Sequence, residues 1–166
     1  SSLNFIGGEK GGVGKSVASR LGLPQPTKLR RYAAGELCPG PVLVTGGGAY
    51  AAQLVELVSD ARVEVLTDLD DLAEGTRLGG IVLDMTALRH PSQLEHLRAV
   101  GAPAIKRLGA NGRVVVIGVD PASLTAPAEV ATARSLEGIV RSIAKELRQG
   151  STANLVLAQP DSASAV

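Results

Sequence analysis

The sequence predicts a three-layer α/β domain built on a mostly parallel sheet of five strands. Three observations predict it. Between residues 42 and 158, short apolar or β-branched runs alternate with segments whose apolar residues recur at helical spacing. One run, Gly80-Ile81-Val82-Leu83 before Asp84, is apolar throughout, as a strand covered on both faces should be. Prolines and glycines punctuate the segments in the helical sense, with Pro127 opening the longest one and Gly150 closing it.

The elements follow in order. Residues 1–41 form an N-terminal segment and a connector. Leu3-Asn4-Phe5-Ile6 reads as a short strand, a glycine-rich loop follows, and Val17 to Leu21 reads as a short helix. Residues 24–41 hold Pro24, Pro26, Pro39 and Pro41 and read as an extended stretch. Residues 42–160 are the α/β domain. Val42 to Thr45 is its first strand, ending in Gly46-Gly47-Gly48, and Ala49 to Val58 its first helix, with Ala51, Leu54, Val55 and Val58 on one side. Val63 to Leu66 and Gly80 to Asp84 are the next strands. Pro91 suits the first turn of a helix running to about Leu108, with a kink expected at Gly101 or Pro103. Val114 to Ile117 is the fourth strand. The long helix places Val130, Leu136, Ile139, Val140, Ile143 and Leu147 on its apolar side, and Asn154 to Ala158 is the fifth strand. The Ser/Ala-rich tail, 161–166, is expected to fray.

Composition narrows the function classes. A chain of 166 residues is the size of one domain. Lys and Arg number 17 against 16 Asp and Glu, which gives no electrostatic reason to expect nucleic acid or an anionic membrane surface. Aromatics at 2% argue against a stacking platform for bases. Cys38 stands alone, so no internal disulfide is expected, and with only His90 and His96 beside it a zinc site is disfavoured. His90 and His96 read as surface residues. No apolar run approaches the roughly 20 residues of a membrane span, and the first residues do not pattern as a secretory leader, so a cytoplasmic location is expected.

Two glycine-rich turns carry the chemistry. The first is Lys10-Gly11-Gly12-Val13-Gly14-Lys15-Ser16. Glycines at Gly11, Gly12 and Gly14 let backbone amides converge on phosphate oxygens, Lys10 and Lys15 would neutralise them, and Ser16 would hold Mg²⁺. Asp84, at the end of an apolar strand, is the acidic partner available to that ion. The segment resembles the deviant Walker A loop of plasmid-partitioning and septum-site ATPases of the ParA/MinD type, over residues 4–20. The resemblance implies a P-loop protein binding ATP and magnesium. Position 9 is Glu where the standard loop has Gly, and the family's Asp-rich second strand does not follow. A phosphate-binding loop and a displaced or grafted segment both remain open. The second turn, Thr45-Gly46-Gly47-Gly48, has the strand–glycine–helix order of a dinucleotide-binding turn and resembles that of short-chain dehydrogenases/reductases at Thr45 and Gly46. Tyr50 and Ala52 stand where the family's later glycines would fall, so a purely structural turn is the competing reading.

The widest resemblance runs from Leu21 to Asp161. Ser135 to Leu147 and Ala153 to Pro160 are similar to the long helix and following strand of the same reductases. Leu21-Gly22-Leu23-Pro24-Gln25-Pro26-Thr27-Lys28-Leu29-Arg30-Arg31-Tyr32-Ala33-Ala34-Gly35-Glu36 is similar to the start of the N-terminal domain of high-molecular-weight 3-oxoacyl-[acyl-carrier-protein] reductases. That family implies a flavodoxin-like sheet in the order 2-1-3-4-5, with one strand–helix unit of the full reductase missing between Leu66 and Gly80. It implies a domain without catalytic residues or cofactor of its own, with NAD(P)H bound by a C-terminal reductase domain beyond residue 166. The parent would reduce β-ketoacyl thioesters in fatty-acid metabolism. The implied partners are that reductase domain, a second copy in a homodimer, and an acyl-carrier protein or CoA thioester. The family's Tyr-x-x-x-Lys positions fall at Glu129 and Ala133, and its catalytic Ser near Val119, so this chain lacks the reacting groups. The basic cluster Lys28, Arg30 and Arg31 is either a contact for an acidic partner or a solvated connector.

Overall fold

The computed structural model describes residues 20–21, 29–31 and 34–159. The predicted strand Leu3 to Ile6, the loop Lys10 to Ser16, most of the helix Val17 to Leu21, residues 22–28 of the chain and the tail 161–166 lie outside the described residues.

Five parallel strands pair in one sheet. They are β1 (Val42–Thr45), β2 (Val65–Leu66), β3 (Leu78–Asp84), β4 (Leu108–Val119) and β5 (Thr152–Ala158), in the order β2-β1-β3-β4-β5. The helices are α1 (Ala51–Asp60), α2 (Leu94–Lys106) and α3 (Pro127–Glu146). This is the predicted Rossmann/flavodoxin-like α/β fold in the expected order. The switch point lies between β1 and β3, where the chain turns from building one half of the sheet to building the other.

Side-chain alternation on β1 explains the layers. Val42 and Val44 face α1 and cluster with Val58, Leu54 and Val55. Leu43 faces the opposite side and joins Ile81, Leu83, Val114, Val116, Leu97, Leu136 and Val140 beneath α2 and α3. Ile81, Leu83, Val114 and Val116 are fully buried, as the unbroken apolar runs predict. Among the described residues, α1 packs on β1 and β2, and on the same face over β4 and β5 Val115 is half-buried and Val156 is exposed. On the other face α2 and α3 leave between them a groove of about 810 Å³ lined by Leu97, Gly101, Ile105, Ile139 and Ile143.

Four elements differ from expectation for identifiable reasons. β2 holds only two residues, because Arg62 at φ 58° ends the turn after α1 and Asp68 caps a 3₁₀ turn, Leu69–Asp71, soon after the strand. That 3₁₀ turn is the only helix between β2 and β3, so the shortened connection is as the resemblance implies. Pro91 opens a 3₁₀ turn, Pro91–Gln93, capped by the His90 side chain, and α2 itself starts at Leu94. α2 then runs unbroken to Lys106 through Pro103. The carbonyl this proline leaves unpaired belongs to Ala99, which is exposed and can take water instead. β4 is longer than predicted because its register against β3 jumps, from Leu78 opposite Leu108 to Gly80 opposite Arg113. The extra residues bulge at Asn111, φ 58°, and Ser151 holds the bulge by accepting from the Gly112 amide and donating to the Gly109 carbonyl.

Candidate functional site

In open α/β sheets, ligands bind in the crevice beyond the carboxyl ends of the strands, at the switch point. Here that crevice lies where β1 runs into Gly46-Gly47-Gly48 and β3 ends in Asp84. Pairing sets Thr45 opposite Leu83, so the glycine turn and Asp84 leave the sheet side by side.

The turn needs its first two glycines for backbone reasons. Gly46 sits at φ 114° and Gly47 at φ 74°, both unfavourable for any residue with a Cβ. Gly48 has a different reason. A Cβ there would run into the carboxylate of Asp84. Asp84 has no exposed surface, and Thr86 is 2% exposed. Asp84 Oδ2 accepts the Tyr50 amide at 2.8 Å. Its Oδ1 accepts the Thr86 hydroxyl at 2.6 Å and the Thr86 amide at 3.2 Å. The Thr86 hydroxyl in turn accepts the Ala49 amide at 3.0 Å. Two successive amides just ahead of α1 are therefore satisfied by Asp84, at the end of β3, and by Thr86 just beyond it. Left without these partners, amides at the head of a helix attract a phosphate.

Further side-chain bonds lie around the turn. The Tyr50 phenol donates to the Gln159 carbonyl at 3.1 Å, from the turn after β1 to the end of β5. His96 of α2 places Nε2 at 3.0 Å from the Gly46 carbonyl, and Arg89 binds the Thr86 and Leu88 carbonyls.

The structure thus brings together Thr45, Gly46, Gly47 and Asp84. Sequence reading had assigned these to two different ligands. The Walker-like residues Lys10, Gly11, Gly12, Gly14, Lys15 and Ser16 lie outside the described residues. Asp84, the proposed magnesium partner of Ser16, already spends both oxygens on Tyr50 and Thr86. The space beside Gly48 and the Tyr50 amide are taken by the Asp84 carboxylate. Among the described residues, no group of three or more His, Cys, Asp or Glu is placed to hold a metal ion.

His96 is exposed, as the sequence suggests. No local pattern marks the long-range bonds of Thr86, His96 and the Tyr50 phenol, because they reach residues 37, 50 and 109 positions away.

The positions that match the reductases' catalytic pair lie at the start of α3. Ala133 is 6% exposed and sits on the face of α3 that carries Thr132 and Leu136 into the core. Glu129 faces Arg89, with 3.6 Å between carboxylate and guanidinium. At the other end of the sheet, Arg30 pairs with Glu36, and its amide donates to Asn111. Cys38 packs at the edge of the cluster around Val42 and Val44. Burial raises its thiol pKa above the ordinary value against the opposing pull of the nearby Arg30 and Arg113. No described helix is long and apolar enough to cross a membrane.

No family model matches the chain, and no curated protein matches it.

Proposed function

We propose that this chain is a non-catalytic structural and interaction domain, of the kind that precedes the reductase domain in high-molecular-weight 3-oxoacyl-[acyl-carrier-protein] reductases. The observation that carries the reading is the start of α3. In short-chain reductases a Tyr and a Lys there face the substrate and the cofactor ribose. Here the matching positions are a core alanine, Ala133, and a glutamate turned to Arg89, so the phenol and the ammonium that the reductases use are both missing from these positions. The sheet order, the missing helix between β2 and β3 and the long α3 support the same reading, since they reproduce that family's skeleton.

The domain's work in this reading is mechanical. It packs against a reductase domain, helps hold a homodimer, and shapes the approach of an acyl-carrier protein or CoA thioester. NAD(P)H belongs to that second domain. The chain is mixed with NADPH and an acetoacetyl thioester, and absorbance at the nicotinamide band is followed. No oxidation above buffer is expected, and steady turnover would overturn the reading. Calorimetric titration with Mg-ATP tests the P-loop alternative in the same sample. Binding heat that vanishes in Lys15→Ala would favour an ATPase-type protein instead.

A further inference from the structure

We propose that Asp84 is the resident anion of the glycine turn: its carboxylate takes the place that a ligand phosphate takes in an open strand–turn–helix crevice, and so shuts the switch point to nucleotides. This holds whether or not a reductase domain follows the chain.

Three features of the turn meet in it. The first is chemical. The amide of Tyr50, at the head of α1, donates to a carboxyl oxygen of Asp84, the position a phosphate oxygen takes in a phosphate-binding turn. The acceptor comes from within the chain. The second is steric. Gly48 has an ordinary negative φ, so its lack of a side chain is not explained by backbone conformation. In a dinucleotide turn a glycine of this kind admits the pyrophosphate. At Gly48 the missing Cβ admits Asp84. The third is closure. Asp84 has no exposed surface, and the Thr86 hydroxyl relays the second amide, from Ala49, onto it. A ligand phosphate would have to expel a buried carboxylate and repel its charge.

Asp84→Ala removes the carboxylate and leaves a space that fits formate. Formate, against chloride at equal ionic strength, should raise the thermal midpoint of Asp84→Ala by about 4 °C at ten times its dissociation constant. Wild type and Asp84→Asn, whose space stays filled, should not respond. A variant that folds only with formate supports the proposal as well. Equal responses to formate and chloride would overturn it. The wild-type chain supplies an independent readout. Its Tyr50 amide resonance should stay in place when inorganic phosphate, NADPH or ATP is titrated in. A saturable shift of that resonance would overturn the proposal, and this measurement decides alone if Asp84→Ala does not fold under any condition.

Discussion

Two aspartates stand at the carboxyl ends of neighbouring strands and do different jobs. Asp84 closes β3 and Asp120 follows β4. Asp120 accepts the Ala122 amide at 2.9 Å, two residues on, and caps the 3₁₀ turn Pro121–Ser123. Asp84 accepts the amide of Tyr50, 34 residues back, as well as its own neighbour Thr86. One is a local cap at a half-exposed site; the other ties two halves of the sheet together in the interior. Residue type and position at a strand end are therefore not what decides the role. The residue opposite decides it: Asp84 lies beside a turn of three glycines, and Asp120 does not.

The largest expected effect comes from breaking the buried member. Asp84→Ala removes the acceptor of the part-buried Tyr50 amide and of the buried Thr86 hydroxyl and amide. With a buried unpaired donor costing about 1–3 kcal/mol, the loss in unfolding free energy should be about 4 kcal/mol, read from the urea midpoint at constant slope. A loss below about 1 kcal/mol would show that the network contributes little and would erase the contrast with Asp120.

Gly48→Ala sharpens the same contrast from the other side. The added methyl meets the Asp84 carboxylate and must displace it, so a cost of about 2 kcal/mol is expected in the wild-type background. In an Asp84→Ala background the methyl has room, and the cost should fall below about 1 kcal/mol. Additive costs in this double-mutant cycle would mean that Gly48 is glycine for some reason other than Asp84.

The fold was legible in the sequence to the extent that local signals coincide with tertiary ones. Gly80 to Asp84 reads as a central strand because both its faces are covered, and Pro127 reads as a helix start because its missing amide costs nothing there. The β4 bulge was not legible, because Gly109 to Gly112 depends on a hydroxyl from Ser151, about 40 residues later. α2 stays helical through Pro103 because the exposed Ala99 can give its carbonyl to water. The site shows the limit most clearly. Thr45, Gly46 and Gly47 were read as one half of a dinucleotide site and Asp84 as one half of a magnesium site. Only the pairing of β1 with β3 reveals that each is the other's partner.

The smallest expected effect is at Asp120. Its substitution by Ala removes one hydrogen bond, to an amide at the start of a three-residue turn near solvent, where water replaces the lost acceptor. Caps of this kind are worth about 0.5–2 kcal/mol in full helices, and a single 3₁₀ turn belongs at the low end. The other groups of the turn are unaffected by the change. The Asp120 amide still donates to the Ala158 carbonyl at 2.8 Å, and the Ser123 hydroxyl still donates to the Asp120 carbonyl at 2.7 Å, because both bonds use the backbone. Asp120→Ala should therefore lower stability by about 0.5 kcal/mol, a small shift of the urea midpoint. A cost approaching that of Asp84→Ala would mean that the loop after β4 carries a tertiary load its exposed cap does not display.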